Sequence, residues 1–192
     1  MRLNAWASLA KKTLNHPKAN EAARDSFKQR MLNYENEGVP IIYLDESGFS
    51  HSMPRTHGYS LKGERAYGKH DWNSRGRTNA IGAITADFNF IALSLIPVNI
   101  NSDIFYLWLS QDLLPQITKR SVIVMDNASF HKRSDMIQAI YDANCILEFL
   151  PPYSPDLNPI EHKWAQAKAF RRRYRCDAYT LFSQYFEYDT LC

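Results

Sequence analysis

The chain has 192 residues, 45% of them hydrophobic, and a formal net charge of +3. That size suits one compact domain with a substantial core and argues against a second full domain. No stretch reaches the roughly 20 apolar residues of a membrane span, and the N-terminal residues lack an apolar core followed by a cleavage site, so the chain reads as soluble and cytoplasmic.

Charge is clustered more than it is abundant. Of the 23 Lys and Arg, seven fall in residues 1–36, six in 54–78 against two acids, and six in 163–175 with no acid. One such stretch is ordinarily a solvated face; three together lean towards a polyanionic partner. Cys145, Cys176 and Cys192 are far apart and form no C-x-x-C pair, which reads as free thiols. His51 and His57 read as loop residues.

Taken in chain order, residues 20–38 predict a helix capped by Asn20, with Ala23, Phe27 and Met31 on one face and Gly38 at its stop. Val39 and Ile41–Leu44 then form a short β-branched and aromatic run, a strand buried on both faces that ends in Asp45. Residues 48–78 read as a loop with an exposed hairpin, Tyr59 and Tyr67 flanking the turn at Lys62-Gly63. Residues 78–86 and 90–98 predict an antiparallel hairpin. Asn101-Ser102-Asp103 opens an apolar helix from Ile104 to about Leu114, and Val122–Met125 is a second buried run, again ending in an acid, Asp126.

Residues 131–144 fit an amphipathic helix with Met136, Ile137, Ile140 and Tyr141 on one side. Residues 145–150 predict a further strand. Pro151, Pro152, Pro155 and Pro159 follow, a density that stiffens the loop because each proline fixes its own φ and restricts the residue before it. Asn158-Pro159-Ile160-Glu161 reads as a helix start with Asn158 at N-cap and Glu161 at N3, and the helix runs through Trp164 and Phe170, both expected in the core, into Arg171-Arg172-Arg173. This alternation predicts a mixed sheet with helices packed on it.

Two buried strands that both end in aspartate would bring Asp45 and Asp126 to one edge of a parallel sheet, where ligand sites of open α/β sheets lie. Each aspartate is equally a turn former, and Glu161 is equally the reciprocal partner in a capping box. As a set, three converging carboxylates repel one another unless cations lie between them, and hard oxygen donors suit Mg²⁺ or Mn²⁺. A pair of such ions serves in-line phosphodiester displacement.

The stretches YLDESGF (43–49), VMDNASFHK (124–132) and LPPYSPDLNPIEHKW (150–164), in that order, resemble the three catalytic motifs of DDE transposases of the Tc/mariner superfamily, in its bacterial insertion-sequence branch. The 34 residues between Asp126 and Glu161 match that superfamily's spacing, and GRTNAIGAI (76–84), after a loop with Trp72, resembles its sheet region. The resemblance implies a ribonuclease H-like α/β fold of about five strands over residues 39–176. It implies that Asp45 bridges two metal ions, Mg²⁺ or Mn²⁺, and that Asp126 and Glu161 each hold one. It implies double-stranded DNA, element ends and target, as partner, with cleavage followed by attack of the freed 3′-hydroxyl, and action at the bacterial nucleoid.

Around these acids, Asn127 and His131 are candidates to orient Asp126 or touch a phosphate, with packing and capping as the alternatives. Arg171, Arg172, Arg173 and Arg175 are candidates to hold DNA, with a solvated helix end as the alternative. Glu46 is set aside because strand alternation aims it at the opposite face. Residues 1–38 read as a linker and helix, 177–192 as a C-terminal tail. Full-length relatives carry a helix-turn-helix module ahead of the catalytic domain; only about 38 residues precede the first strand here, so the module is expected to be missing. On that reading the chain is a second frame of a split transposase, a decayed copy or a fragment. A separate N-terminal DNA-binding polypeptide and a homodimer on DNA would then be its protein partners. The alternatives in other classes are a ribonuclease H-like nuclease without strand transfer, a non-catalytic fragment that binds DNA or intact transposase, and, more distantly, a two-carboxylate glycosidase.

Overall fold

The computed structural model describes residues 17–52, 60–65, 67 and 76–184. His57, Tyr59, Trp72 and Cys192, and with them most of the expected exposed hairpin, lie outside these residues. Helix α1 (Glu21–Asn36) starts where the sequence signals it: Asn20 is extended, and its side chain accepts from the Ala23 amide at 3.2 Å. Phe27 and Met31 are buried from its inner face, and Gly38, with φ +70°, turns the chain out of the helix.

Strand β1 (Ile41–Ser50) does not end at Asp45 as expected but runs five residues further. The extension is held by one neighbour only. Strand β2 (Arg77–Thr85) pairs antiparallel with β1 from Ile42 to Ser50, whereas β4 (Val122–Met125) pairs parallel with it only from Ile41 to Tyr43. Asp45 therefore stands where β1 has just lost its parallel neighbour, opposite Gly82 of β2. Strand β3 (Phe90–Ile96) pairs antiparallel with β2, and β5 (Ile146–Phe149) parallel with β4, giving the order β3-β2-β1-β4-β5. This is the mixed five-stranded sheet the sequence predicts.

Helices cover both faces. On one, α1, α4 (Ile160–Tyr174) and α5 (Ala178–Gln184) pack Phe27, Met31, Ile160, Trp164, Ala167 and Phe182 against Tyr43, Phe49, Ile84 and Val124. Phe49 meets both Trp164 and Phe182 edge-on, with ring centroids 6.3 and 5.4 Å away. The described part of the expected C-terminal tail is thus a helix seated in the core.

On the other face, α2 (Ser102–Trp108) and α3 (Ser134–Asp142) pack Phe105, Trp108, Met136 and Ile140 against Ile42, Leu44, Ile81 and Met125. The helix expected from Ile104 to Leu114 is not uniform: α2 gives way to a π turn at Leu109–Leu113, which buries Leu109 and Leu113, and then to a 3₁₀ turn containing Pro115. Helix α3 is shorter than predicted, with His131 in a preceding 3₁₀ turn and Tyr141 turned to solvent, 56% exposed. Cys145 is buried and Cys176 half-buried, both as free thiols.

Candidate active site

A cavity of about 370 Å³ lies beyond the ends of β4 and β5, and Asp45, Asp126, Asn127, Tyr153, Asn158 and Glu161 are among the residues that line it. The three acids reach it from different elements. Asp45 comes from β1 at the point just described, and Asp126 follows the last residue of β4. Glu161 projects from the first turn of α4, directly after the proline loop.

The proline loop is held at several points. It leaves the sheet with the Leu150 amide donating to the Met125 carbonyl at 2.9 Å, turns at Tyr153 in the left-handed region with φ 57°, and forms a 3₁₀ turn over Pro155–Leu157. Asp156 in that turn receives both terminal nitrogens of Arg24 from α1, at 2.9 and 2.6 Å. Asn158 does not cap α4 as the sequence suggests. Its side-chain nitrogen instead donates to the Leu44 carbonyl at 3.0 Å, a buried hydrogen bond that fastens the loop to β1 one residue before Asp45. Glu161, released from the capping box, is exposed on the cavity side of α4.

Trp164, one turn after Glu161, fixes α4 against the sheet. Its ring lies over Gly82, the residue paired with Asp45, so closely that a Cβ there would stand 2.8 Å from it. Glycine is required at this position for the approach, not for its backbone angle.

Among the described residues no three Asp, Glu, His or Cys side chains close into a ready-made metal-ligand cluster. The electrostatics nevertheless suit a cation. Burial, and then the charges of Glu161, Glu46 and Asp126, push the Asp45 carboxyl up to about 8 from an ordinary 3.8. A hard divalent ion among these oxygen donors would relieve both the repulsion and the lost hydration, so the donor set fits Mg²⁺ or Mn²⁺.

Asp126 is held differently. Its Oδ1 accepts from His131 Nδ1 at 2.6 Å and from the Ala128 amide at 2.9 Å, and these bonds, the histidine's foremost, keep its carboxyl below the usual range. His131 is 1% exposed, and although burial opposes its charged form, the hydrogen bonds to Asp126 and Glu46 prevail and hold its pKa up to about 9. Of the two neighbours expected to orient Asp126, the structure assigns that contact to His131; Asn127 is exposed on the cavity wall and makes no side-chain hydrogen bond among the described residues. Glu46, set aside on the sequence, bonds His131 from the far face of β1 at 3.0 Å.

The four arginines separate. Arg171 is buried and serves the fold, donating to the carbonyls of Ser50 and Cys176, so it is removed from the DNA-contacting candidates. Arg172, Arg173 and Arg175 are exposed at the far end of α4.

Comparison with known proteins agrees with this architecture. No curated protein sequence matches the chain. Among solved structures, the mariner Mos1 paired end complex with Mg aligns with 98% of this chain and 60% of its own at a TM-score of 0.73 and 17% identity. The Mos1 strand transfer complex aligns with 94% of this chain and 57% of its own at 0.72 and 18%. The catalytic domain of Mos1 mariner transposase aligns with 90% and 80% at 0.60 and 14%. At such identities the likeness is one of fold, ribonuclease H-like, and the chain spans only 57–60% of the two longer proteins. The model of the DDE superfamily endonuclease family, however, matches residues 40–178, the whole sheet, the cavity and all three acids. The chain belongs to the DDE superfamily endonucleases.

Proposed function

We propose that this chain is the catalytic part of a transposase of the bacterial insertion-sequence type, which cuts DNA at the ends of its element and joins the freed ends to a target. The observation that carries this reading is one cavity walled by Asp45, Asp126 and Glu161, delivered from two strands and a helix of a DDE-endonuclease domain. Its neighbours in fold are described as paired end and strand transfer complexes, which supports DNA ends and target DNA as its partners.

On this reading Asp45, Asp126 and Glu161 would together hold two divalent ions, Mg²⁺ or Mn²⁺. Such ions, when bound, activate an attacking hydroxyl and neutralise the leaving oxygen of a phosphodiester. The protein's own part is placement. The hydrogen bonds of His131 and the Ala128 amide occupy one oxygen of Asp126 and leave Oδ2 without a hydrogen bond among the described residues. Asn158 registers the loop that leads into α4 and Glu161 against Leu44, and Trp164 over Gly82 fixes the height of α4. Arg172, Arg173 and Arg175 offer phosphate contacts along α4, with Glu161 and Arg172 about 16 Å apart along the axis at 1.5 Å per residue. A homodimer on DNA, a separate N-terminal DNA-binding polypeptide and action at the nucleoid complete the proposal.

The test uses supercoiled plasmid and a pre-cut oligonucleotide with a free 3′-hydroxyl, in Mn²⁺, with the unaltered chain beside Asp45→Asn and Glu161→Gln. Nicking and joining by the unaltered chain, both reduced to background by either substitution, are expected. Nicking without joining would make the protein a nuclease of the same fold, and equal nicking by all three would remove the cavity from the chemistry.

A further inference from the structure

Glu46 has no place in the set of three acids, yet it is tied to that set through His131. Alternation along β1 puts Asp45 with Tyr43 and Phe49 on one face and Glu46 with Ile42 and Leu44 on the other. The pairing of β1 with β4 stops at Tyr43 and Val124, so beyond it no backbone lies between β1 and the chain leaving β4. His131 bridges that gap. Its Nε2 lies 3.0 Å from Glu46 Oε1 and its Nδ1 2.6 Å from Asp126 Oδ1, while the Phe105 ring of α2 packs on it at 4.4 Å between centroids.

Carboxylates accept hydrogen bonds and do not donate them, so an imidazole between two of them donates from both nitrogens. One ring thus links Glu46 of β1 to Asp126, the residue that follows β4, across the edge where their pairing has stopped. Without Glu46, the ring would lose the acceptor that sets its tilt, and Nδ1 would no longer be aimed at Asp126. The Glu46 side chain is 17% exposed and the His131 side chain 2%, so water would replace the lost bond poorly.

We propose that Glu46 is a positioning residue of the site, acting through His131 to fix Asp126 in the orientation that keeps Oδ1 occupied and Oδ2 open to the cavity. Glu46 is not among the residues that line the cavity. The inference rests on the metal-binding reading given above.

The test is a Mn²⁺ titration of the full chain, followed by the electron paramagnetic resonance signal of free Mn²⁺, with a thermal melt of each variant. Glu46→Met keeps length and volume among Ile42 and Leu44 but offers His131 no comparable acceptor, and is expected to weaken Mn²⁺ binding about tenfold. Glu46→Gln restores a carbonyl acceptor and is expected to recover most of that loss. In a His131→Ala background Glu46→Met is expected to cost nothing further, because the two side chains act as one unit. Unchanged Mn²⁺ affinity in Glu46→Met, a loss that simply adds to that of His131→Ala, or a fall in melting temperature alone would each overturn the proposal. If the unaltered chain binds no Mn²⁺, the functional reading itself fails; if it binds and Glu46→Met binds equally, only the role of Glu46 fails.

Discussion

A carboxylate at position 45 works against the stability of the chain that carries it. Burial and then the charge of Glu161 raise its pKa from 3.8 to about 8, so the folded protein holds this proton more tightly than the unfolded chain does. The sign follows: below about pH 4 the group is neutral in both states and neutral in its effect, and stability is lost progressively as pH rises towards 8. Asp45→Asn keeps the shape without the charge. In EDTA at pH 8.5 its melting temperature should exceed that of the unaltered protein by more than about 4 °C, with the gap closing at pH 4. Equal melting temperatures at pH 8.5 would mean the charge is relieved by the fold itself. Gly82, paired with Asp45, makes the complementary case. A methyl group there meets the buried Trp164 ring at 2.8 Å and the half-buried Phe90 ring at 2.9 Å, so at least one of them must shift. Gly82→Ala should lower unfolding free energy in urea by about 1–3 kcal/mol, and nicking should fall further than stability because Trp164 and Glu161 share one face of α4. These placements were only partly legible in the sequence. The three acids that line the cavity stand out in the sequence because each follows an apolar run or the proline loop. Glu46 could not, because its partner, His131, lies 85 positions away and reaches it across a gap that exists only once β4 has stopped short.

At the scale of elements, what the sequence hides is how long β1 is and what holds the proline loop. Glu46, Ser47, Gly48 and Ser50 carry no strand signal of their own; they are extended because β2 offers a continuous antiparallel partner out to Arg77. Local propensity yields there to pairing supplied from a distance. Asn158 is a similar case, since its neighbours advertise a helix cap while the buried carbonyl of Leu44 claims its amide. Tyr141 is expected on the apolar face yet is exposed, because at about 100° per residue it lies about 140° round the helix from the buried Met136, whereas Ile140 in the same turn is buried. Helix α1 is fastened to the loop by the Arg24–Asp156 pair, in which the guanidinium's hydrogen bonds hold the Asp156 carboxyl below its usual 3.8. The stabilisation from this depressed pKa is present above about pH 4 and disappears as pH falls below it. The Asp156 side chain is 38% exposed, so solvent screens part of the effect. Asp156→Asn should therefore melt a few degrees lower than the unaltered protein at pH 7, by about 2–4 °C for each kcal/mol lost. The gap between the two melting temperatures should shrink as pH falls below about 4 and through the lowered folded-state pKa; a gap that does not shrink would assign the effect to packing.

On the scale of the whole molecule, basic charge on α4 is divided between fold and surface. Arg171 is consumed internally, and Lys168 lies over the Phe49 ring at 5.8 Å, which leaves Arg172, Arg173 and Arg175 as the exposed cations at the helix end. If these arginines contact phosphates, replacing all three by Ala should weaken binding to any duplex about equally and reduce the slope of log K against log salt by up to about 3. An unchanged slope would place the DNA path elsewhere. The topology carries a further consequence, one of timing. Asp45, Asp126 and Glu161 are spread over more than half the chain, and the parallel pairing that brings the first two together joins Ile41 to Val122 across the whole β2–β3 hairpin and α2. Contacts so distant in sequence form late, and a chain growing from its N-terminus at about 5–20 residues per second has no wall for Glu161 to complete until α4 has been made. Asp45, Asp126 and Glu161 can therefore share one cavity only after α4, and with it most of the domain, has been synthesised.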